Sequence, residues 1–183
     1  MTEYEFWKTI DAALRPGEYS EAVNHEVLRE ALVALKRPDL LDFAKHMHAA
    51  MENAFSTELW GAGYLINGGC TEEEFIYFRG WVISLGSRAY RDAVRNPDIL
   101  ADCVDPDADA HEDADLLGLA FDVYTERKGS DEGFDFESQS KELSGDEWDF
   151  EDENEMSARF PRLWEVMGYG SDEDDEEDGE EEE

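Results

Sequence analysis

The sequence predicts an all-α fold, a compact multi-helix domain followed by an acidic C-terminal segment. Over most of the first 128 residues, apolar side chains recur at intervals of three and four, the period of amphipathic helices. Residues 1–95 hold 15 acidic and 10 basic side chains, whereas residues 96–183 hold 34 acidic and 5 basic ones. Hydrophobic residues make up 41% of the 183 residues, enough for one core, so the net charge of −34 belongs mainly to the second half.

Three amphipathic helices are predicted in the first 57 residues. The first follows Thr2 and ends at Pro16-Gly17, and its apolar face is formed by Phe6, Trp7, Ile10 and Leu14. The second is expected to begin at Ser20, with a stripe formed by Val23, Val27, Leu28, Ala31, Leu32 and Leu35. Pro38 suits the first turn of the third, whose apolar positions are Leu40, Phe43, Ala44, Met47, Met51 and Phe55.

The next two helices are predicted to form the buried centre of the fold. Residues 59–67 have almost no polar face, which for so short a run indicates burial. Gly68 is placed to end this helix in the left-handed conformation. Thr71 and Glu74 form the capping-box pattern that starts the following helix. The prediction is a buried helix, a Gly-Gly turn and a second buried helix.

The remainder of the chain is predicted to be helical up to Gly129 and acidic beyond it. A helix over 88–95, a turn or new helix at Asn96-Pro97, an acidic loop over 102–115 and an amphipathic helix ending near Gly129 complete a domain over residues 1–128. An acidic linker follows over 129–156, then one short helix over 157–168 that docks on the domain. Residues 169–183 are expected to be a disordered acidic tail.

Composition excludes several classes of function. No basic face is present to replace phosphate counterions, so neither direct nucleic-acid binding nor binding to an anionic membrane is expected. The first residues lack the pattern of a signal peptide, and no apolar run approaches the length that spans a bilayer. Two cysteines and no complete metal-ligand pattern fit a cytoplasmic protein, for which we predict no metal and no cofactor.

One candidate site lies at the predicted Gly-Gly turn. Cys70 precedes a helix N-terminus, where the helix dipole can lower a thiol pKa, although a buried, inert thiol is the simpler interpretation. Arg79 lies in an otherwise apolar helix, so it either pairs with a carboxylate such as Glu58 or one of Glu72–Glu74, or clamps an anionic ligand at the turn. No catalytic residue is assigned. The candidate ligand-binding residues are Asn67, Gly68, Gly69, Cys70, Tyr77, Arg79 and Trp81.

A second candidate site lies in the acidic linker, where aromatic residues are interspersed among carboxylates. Such a segment can engage a basic protein surface through long-range electrostatic attraction. The alternative is a segment without a partner, which keeps the protein soluble or adapts it to high salt. The candidate partner-binding residues are Phe134, Phe136, Trp148 and Phe150.

The central motifs resemble those of a known family. They are Trp60-Gly-Ala-Gly-Tyr-Leu-Ile-Asn-Gly-Gly-Cys70 and Phe75-Ile-Tyr-Phe-Arg-Gly-Trp-Val-Ile-Ser-Leu-Gly86. With them, the chain resembles the bacterial, largely actinobacterial, domain-of-unknown-function family 4240 over residues from about 3 to 167. The resemblance implies a compact, mostly helical domain and no catalytic residue.

The leading functional interpretation is a non-catalytic, cytoplasmic interaction or regulatory module. Its acidic C-terminal half would bind a basic protein surface, and inhibitor or immunity behaviour would be one version of this function. The alternative is an enzyme or a binder of a small anionic ligand, with its pocket at the Asn67–Cys70 turn and Arg79.

Overall fold

The computed structural model describes residues 1–17, 20–134 and 142–170. Over these ranges the chain is mostly helical, with one short two-stranded sheet, which confirms the predicted all-α fold. The helices in chain order are α1 (Glu3–Ala12), α2 (His25–Ala34), α3 (Arg37–Asn53), α4 (Thr57–Asn67), α5 (Glu72–Ser84), α6 (Gly86–Arg95), a 3₁₀ helix (Pro97–Asp102), α7 (Ala114–Lys128), α8 (Glu153–Arg159) and α9 (Pro161–Val166).

The two strands lie where the sequence predicted the end of the first helix, including Leu14, and the start of the second. Strands β1 (Leu14–Pro16) and β2 (Glu21–Val23) pair antiparallel, with Leu14 opposite Val23. Helix α2 therefore begins at His25 rather than at Ser20, and the Asn24 side chain caps it by accepting a hydrogen bond from Val27 N at 3.1 Å. The apolar spacing could not show this difference, because Val23 fits the helical stripe as well as the strand.

The helix–turn–helix centre has the predicted local structure. Gly68 ends α4 in the left-handed conformation, with φ of 67°. Thr71 and Glu74 form the capping box at the start of α5. Most of α4 is buried, as its lack of a polar face indicated; its buried residues are Thr57, Leu59, Gly61, Ala62, Gly63, Leu65 and Ile66.

Helix α5 lies at the centre of the core and packs against α3, α4, α6 and α7. Helix α1 covers α6 and α3, and α2 covers α7. The core is built from large apolar side chains that are no more than 1% exposed, including Phe6, Ile10, Leu28, Leu32, Leu40, Phe43, Leu59, Phe75, Phe78, Val82 and Leu116. Burial of this apolar surface is the main source of stability for such a fold.

The C-terminal segment docks as two helices, whereas the sequence predicted one over 157–168. Pro161 has no N–H group, and Phe160 before it leaves the helical conformation with φ −128° and ψ 60°, so α8 ends and α9 begins there. Helix α9 packs against α4 and the 3₁₀ helix. The buried Asp98 carboxylate accepts hydrogen bonds from Arg162 N and Leu163 N, both at 3.0 Å, and so caps α9.

The predicted linker is also attached to the domain in its second part. The Ser144 carbonyl oxygen accepts a hydrogen bond from Thr57 N at 2.8 Å, and Ser144 N donates to Phe55 O at 3.2 Å. Arg159 forms an ion pair with Glu58. These contacts fix residues 144–159 against the start of α4.

The acidic tail lies almost entirely outside the described residues, which end at Gly170. Tyr169, which the sequence assigned to the tail, donates its backbone N–H to Trp164 O at 3.1 Å, and the two rings lie 5.1 Å apart.

Among the described residues, every helix is too short or too polar to cross a lipid bilayer.

Two glycines allow neighbouring segments to approach the central helices closely. A Cβ atom at Gly61 would lie 2.3 Å from Cζ2 of Trp148, so the indole rests directly on the backbone of α4. A Cβ atom at Gly80 would lie 2.3 Å from the Asp113 carbonyl oxygen, which lets the start of α7 meet α5. Both glycines are therefore required by packing, although each sits in a helix interior where glycine is unfavourable.

Replacing Gly61 by alanine is expected to lower the free energy of unfolding by about 1–3 kcal/mol, because the added methyl group forces Trp148 away from α4. Gly118→Ala in α7 is the matched control, since its Cβ would meet only Asp122 Oδ2, at 3.9 Å. That variant should be unchanged or more stable by up to about 1 kcal/mol. Urea unfolding measures both. Equal effects of the two substitutions would contradict the close contact between Trp148 and α4.

Candidate functional site

The turn between α4 and α5 is held from one side by the indole of Trp60. Its Nε1 donates a hydrogen bond to the Cys70 carbonyl oxygen at 2.8 Å, and its ring stacks on Phe75 with centroids 4.9 Å apart. Gly68 and Gly69 both have positive φ, and a Cβ atom added at either would meet no other atom within 4 Å. The Gly-Gly turn is thus an exposed bend on a rigid support.

Asn67 and Trp81, two of the predicted site residues, meet at His111. Asn67 Oδ1 accepts a hydrogen bond from His111 N at 2.9 Å, and the Trp81 ring lies edge-on to the imidazole at 4.7 Å. Burial lowers the pKa of His111, whose Nε2 accepts from Asp105 N at 3.0 Å. The ring is therefore neutral and carries its proton on Nδ1. Its role is to anchor the acidic loop on the central helices.

Two donor groups at this contact lack a protein acceptor. The buried donors Asn67 Nδ2 and His111 Nδ1 have no hydrogen-bond acceptor among the described residues. A buried donor without an acceptor costs about 1–3 kcal/mol. The sequence offered no signal for the pairing, because His111 lies 44 residues after Asn67 in a loop of small and acidic residues.

The environment of Cys70 opposes the reactivity expected of a nucleophilic thiol. Burial and the nearby carboxylates of Glu74 and Glu112 raise its pKa to about 12. Its Sγ lies 3.8 Å from the Thr71 carbonyl oxygen, to which it can donate. The expected lowering by the α5 dipole is thus outweighed by burial and by the acidic first turn of α5 itself, and the thiol stays protonated at neutral pH.

Arg79 is buried, with 7% of its surface exposed. The predicted pairing with Glu58 or Glu72–Glu74 is wrong. Its Nη1 donates to the Met51 carbonyl oxygen at 2.8 Å and its Nε to the Phe75 carbonyl oxygen at 3.2 Å. Met51 belongs to the last turn of α3, so Arg79 satisfies a carbonyl group that the helix itself leaves free.

Aromatic rings complete the surroundings of the Arg79 guanidinium. Its central carbon lies 4.9 Å from the centroid of Phe55 and 4.8 Å from that of Phe75. Burial lowers the pKa of Arg79, and the charge of Glu52 acts in the opposite direction. Tyr90 assists by donating its hydroxyl to the Ala50 carbonyl oxygen at 2.8 Å, so two side chains cap the C-terminus of α3.

One face of Arg79 lines a groove of about 330 Å³ between α3, α5 and α7. His48 and Glu52 supply its other polar groups, and Met47, Met51, Ile76 and Leu117 are among its apolar walls. Asn67, Gly68, Gly69 and Cys70 do not line this groove. Tyr77 donates its hydroxyl to Glu73 at 3.0 Å on the outer side of α5. The predicted ligand-binding residues are therefore not brought together in one pocket.

The aromatic residues of the linker pack on the domain. Phe134 lies against Phe121 and Tyr124, with ring centroids 5.2 and 5.1 Å away. Trp148 lies edge-on to Phe150 at 4.7 Å and under the Arg159 guanidinium at 4.5 Å. Phe136 lies outside the described residues.

Phe150 reaches further, to the predicted turn. Its ring lies 6.2 Å from that of Trp60 and 5.7 Å from that of Tyr64. Phe150, one of the predicted partner-binding residues, thus contacts α4 just before the Gly-Gly turn, which contains several of the predicted ligand-binding residues.

Over the described ranges, no group of three or more His, Cys, Asp and Glu residues is arranged to hold a metal ion.

Arg79→Lys is expected to lower the free energy of unfolding by about 2–4 kcal/mol, because an ammonium group cannot donate to both carbonyl oxygens while lying over two rings. Arg88→Lys, at an exposed position of α6, is the matched control and should change stability by less than about 0.5 kcal/mol. Thermal or urea unfolding of both variants measures the difference. An Arg79→Lys protein with wild-type stability would refute the capping role and favour an anion clamp.

Alkylation of Cys70 by iodoacetamide at pH 8 is expected to be at least about tenfold slower in the folded protein than in urea, because a thiol with a raised pKa holds little thiolate. The Cys103→Ser background isolates the reaction of Cys70. Mass spectrometry follows the rate. Faster labelling in the folded state would mean that the thiol is activated, as the enzyme hypothesis requires.

Comparison with known proteins supports the family resemblance that the motifs of the central helices indicated. The family described as "Protein of unknown function (DUF4240)" matches residues 1–126, which include α1 to α6 and most of α7. No curated protein and no solved structure matches the chain. Because the match covers more than half of the 183 residues, the chain belongs to the domain-of-unknown-function family 4240.

Proposed function

We propose that the protein is a non-catalytic, cytoplasmic interaction module whose acidic C-terminal half binds a basic protein surface. The observation that carries the proposal is the opposite placement of aromatic and acidic side chains over residues 142–155. Trp148 and Phe150 pack inward on α4, whereas the carboxylates between and around them are exposed. We call these exposed residues the acidic strip; they are Glu142, Asp146, Glu147, Asp149, Glu151, Asp152, Glu153 and Glu155.

The acidic strip has the charge density that attracts a basic partner. Between Lys141 and Arg159 the sequence contains no basic residue. Charges of one sign on one face raise the rate of encounter with an oppositely charged protein, and the effect falls as salt is added. Residues 171–183 add 11 further acids to the same half of the chain.

Docking of the segment also reduces the cost of binding. Trp148, Phe150 and the capped helix α9 hold the backbone in place before any partner arrives. A surface that is already ordered loses less conformational entropy on association than a flexible segment does. In this proposal the aromatic residues anchor the strip, and the carboxylates meet the partner.

The second candidate is binding of a small anionic molecule in the groove between α3, α5 and α7. Its volume of about 330 Å³ falls at the lower end of the range for ligand pockets, about 300–1,000 Å³, and Arg79 lines it. This candidate ranks second because both described hydrogen bonds of Arg79 go to backbone carbonyl groups. The protonated state of Cys70 also gives an enzyme at the turn no nucleophile.

A pull-down from lysate tests the interaction module. The baits are the full chain, a chain ending at Gly170, and a full chain in which Asp146, Glu147, Glu151 and Glu153 are changed to the corresponding amides. We expect the full chain to recover a basic protein at 0.1 M salt and to lose it at 1 M, where the Debye length falls from about 10 to about 3 Å. Both altered chains should recover less.

Arg79→Lys provides the control for the second candidate. If all baits recover the same protein at both salt concentrations, the acidic half is not the binding surface. If none recovers a protein, and phosphate or a carboxylic acid stabilises the wild type but not Arg79→Lys, the groove is the functional site instead.

A further inference from the structure

A second, smaller cavity lies where the C-terminal segment meets the end of α4. Its volume is about 190 Å³. We call it the aromatic pocket, after its four aromatic side chains; with two carboxylates at its rim, they are Tyr64, Phe150, Trp164, Tyr169, Glu151 and Glu153. Gly68 of the turn also lines it. Residues that the sequence assigned to separate sites, Gly68 and Phe150, thus share one cavity.

The rings are arranged in two pairs. The Tyr64 and Phe150 centroids lie 5.7 Å apart, and the Trp164 and Tyr169 centroids lie 5.1 Å apart. Aromatic faces attract cations that lie within about 6 Å of the ring centroid. The same surface already contains such a contact, since the Arg159 guanidinium lies 4.5 Å from the centroid of Trp148.

The charges around the pocket favour the same kind of occupant. Glu151 and Glu153 are exposed at its rim, and none of the residues that line it is basic. Tyr64 and Leu65 belong to the last turn of α4, where the carbonyl end of a helix carries partial negative charge. Tyr169 is followed, after Gly170 and Ser171, by 11 acids in the last 12 residues of the chain.

From this geometry we propose that the aromatic pocket receives a lysine or arginine side chain of the basic protein partner. The inference rests on the proposed function, and it names the contact that makes binding of the partner specific. The cavity is smaller than a typical small-molecule pocket, which measures about 300–1,000 Å³, and its size suits one long side chain. The acidic strip attracts the partner from a distance, and the pocket selects a single cation with an aliphatic stem.

Binding of a labelled peptide tests the pocket. The probe is a short peptide of alternating lysine and glycine, with a glutamate–glycine peptide as its control, measured by fluorescence anisotropy at 0.1 M salt. Tyr169→Ala is expected to weaken lysine-peptide binding about fivefold, because it removes one face of the cation site. Tyr4→Ala, at a residue 75% exposed on α1, is the matched control and should leave the affinity unchanged.

A second pair of variants separates the pocket from general charge. Glu151→Gln with Glu153→Gln should weaken binding more than Asp146→Asn with Glu147→Gln, although both pairs change the net charge equally. If the two pairs behave alike and Tyr169→Ala has no effect, the pocket inference is wrong while the interaction module stands. If the wild type prefers neither peptide, the proposed function fails and the pocket inference with it.

A small organic cation is the competing occupant. Tetramethylammonium is titrated into the wild type and into Tyr169→Ala, with the Trp164 indole N–H signal as the NMR readout. If Tyr169→Ala loses tetramethylammonium binding while its affinity for the lysine peptide is unchanged, the pocket belongs to a small molecule and not to a protein side chain.

Discussion

The burial of the Arg79 guanidinium is the constraint on which the centre of the fold depends. A charge removed from water must be compensated, and here the compensation comes from the carbonyl groups of Met51 and Phe75 and from the faces of Phe55 and Phe75. The carbonyl end of α3 carries partial negative charge, so the cation and the helix end stabilise each other. These contacts fix α5 to the C-terminus of α3. Helix α4 follows α3 in the chain directly after this contact.

Most of the acidic side chains of the second half of the chain lie outside α1 to α7. Like charges repel, so a net charge of −34 opposes folding less when most of the acids lie away from the helices that form the core. The N-terminal 95 residues carry a net charge of only −5. Most of the other acids lie after α7 or in the loop before it, although α7 itself contains Asp115, Asp122 and Glu126. Trp148, Phe150 and Leu163 attach the acidic segment to the domain through apolar contacts, which salt does not screen.

The sequence predicted a structural feature correctly wherever the residues that determine it lie close together in the chain. The cap at Gly68, the capping box at Thr71 and the burial of α4 all depend on residues within one or two turns of the helix. The prediction failed where two hydrogen-bond partners are distant in the chain. Arg79 bonds to Met51, 28 residues away, and Asn67 bonds to His111, 44 residues away. No periodicity encodes such pairs, and a backbone carbonyl as partner leaves no trace in the sequence.

The contact between Gly61 and Trp148 links the region that matches the family to a segment that lies after it. The family match ends at residue 126, yet Gly61 within it is shaped to receive an indole from 87 residues further along the chain. If the chain were cut at the end of the match, α4 would lose the Trp148 indole at Gly61, and Trp60 and Tyr64 would lose the ring of Phe150. An exposed apolar face of that kind promotes self-association. The segment after the match therefore covers part of α4, and Trp148 and Phe150 pack on one of the helices that identify the family.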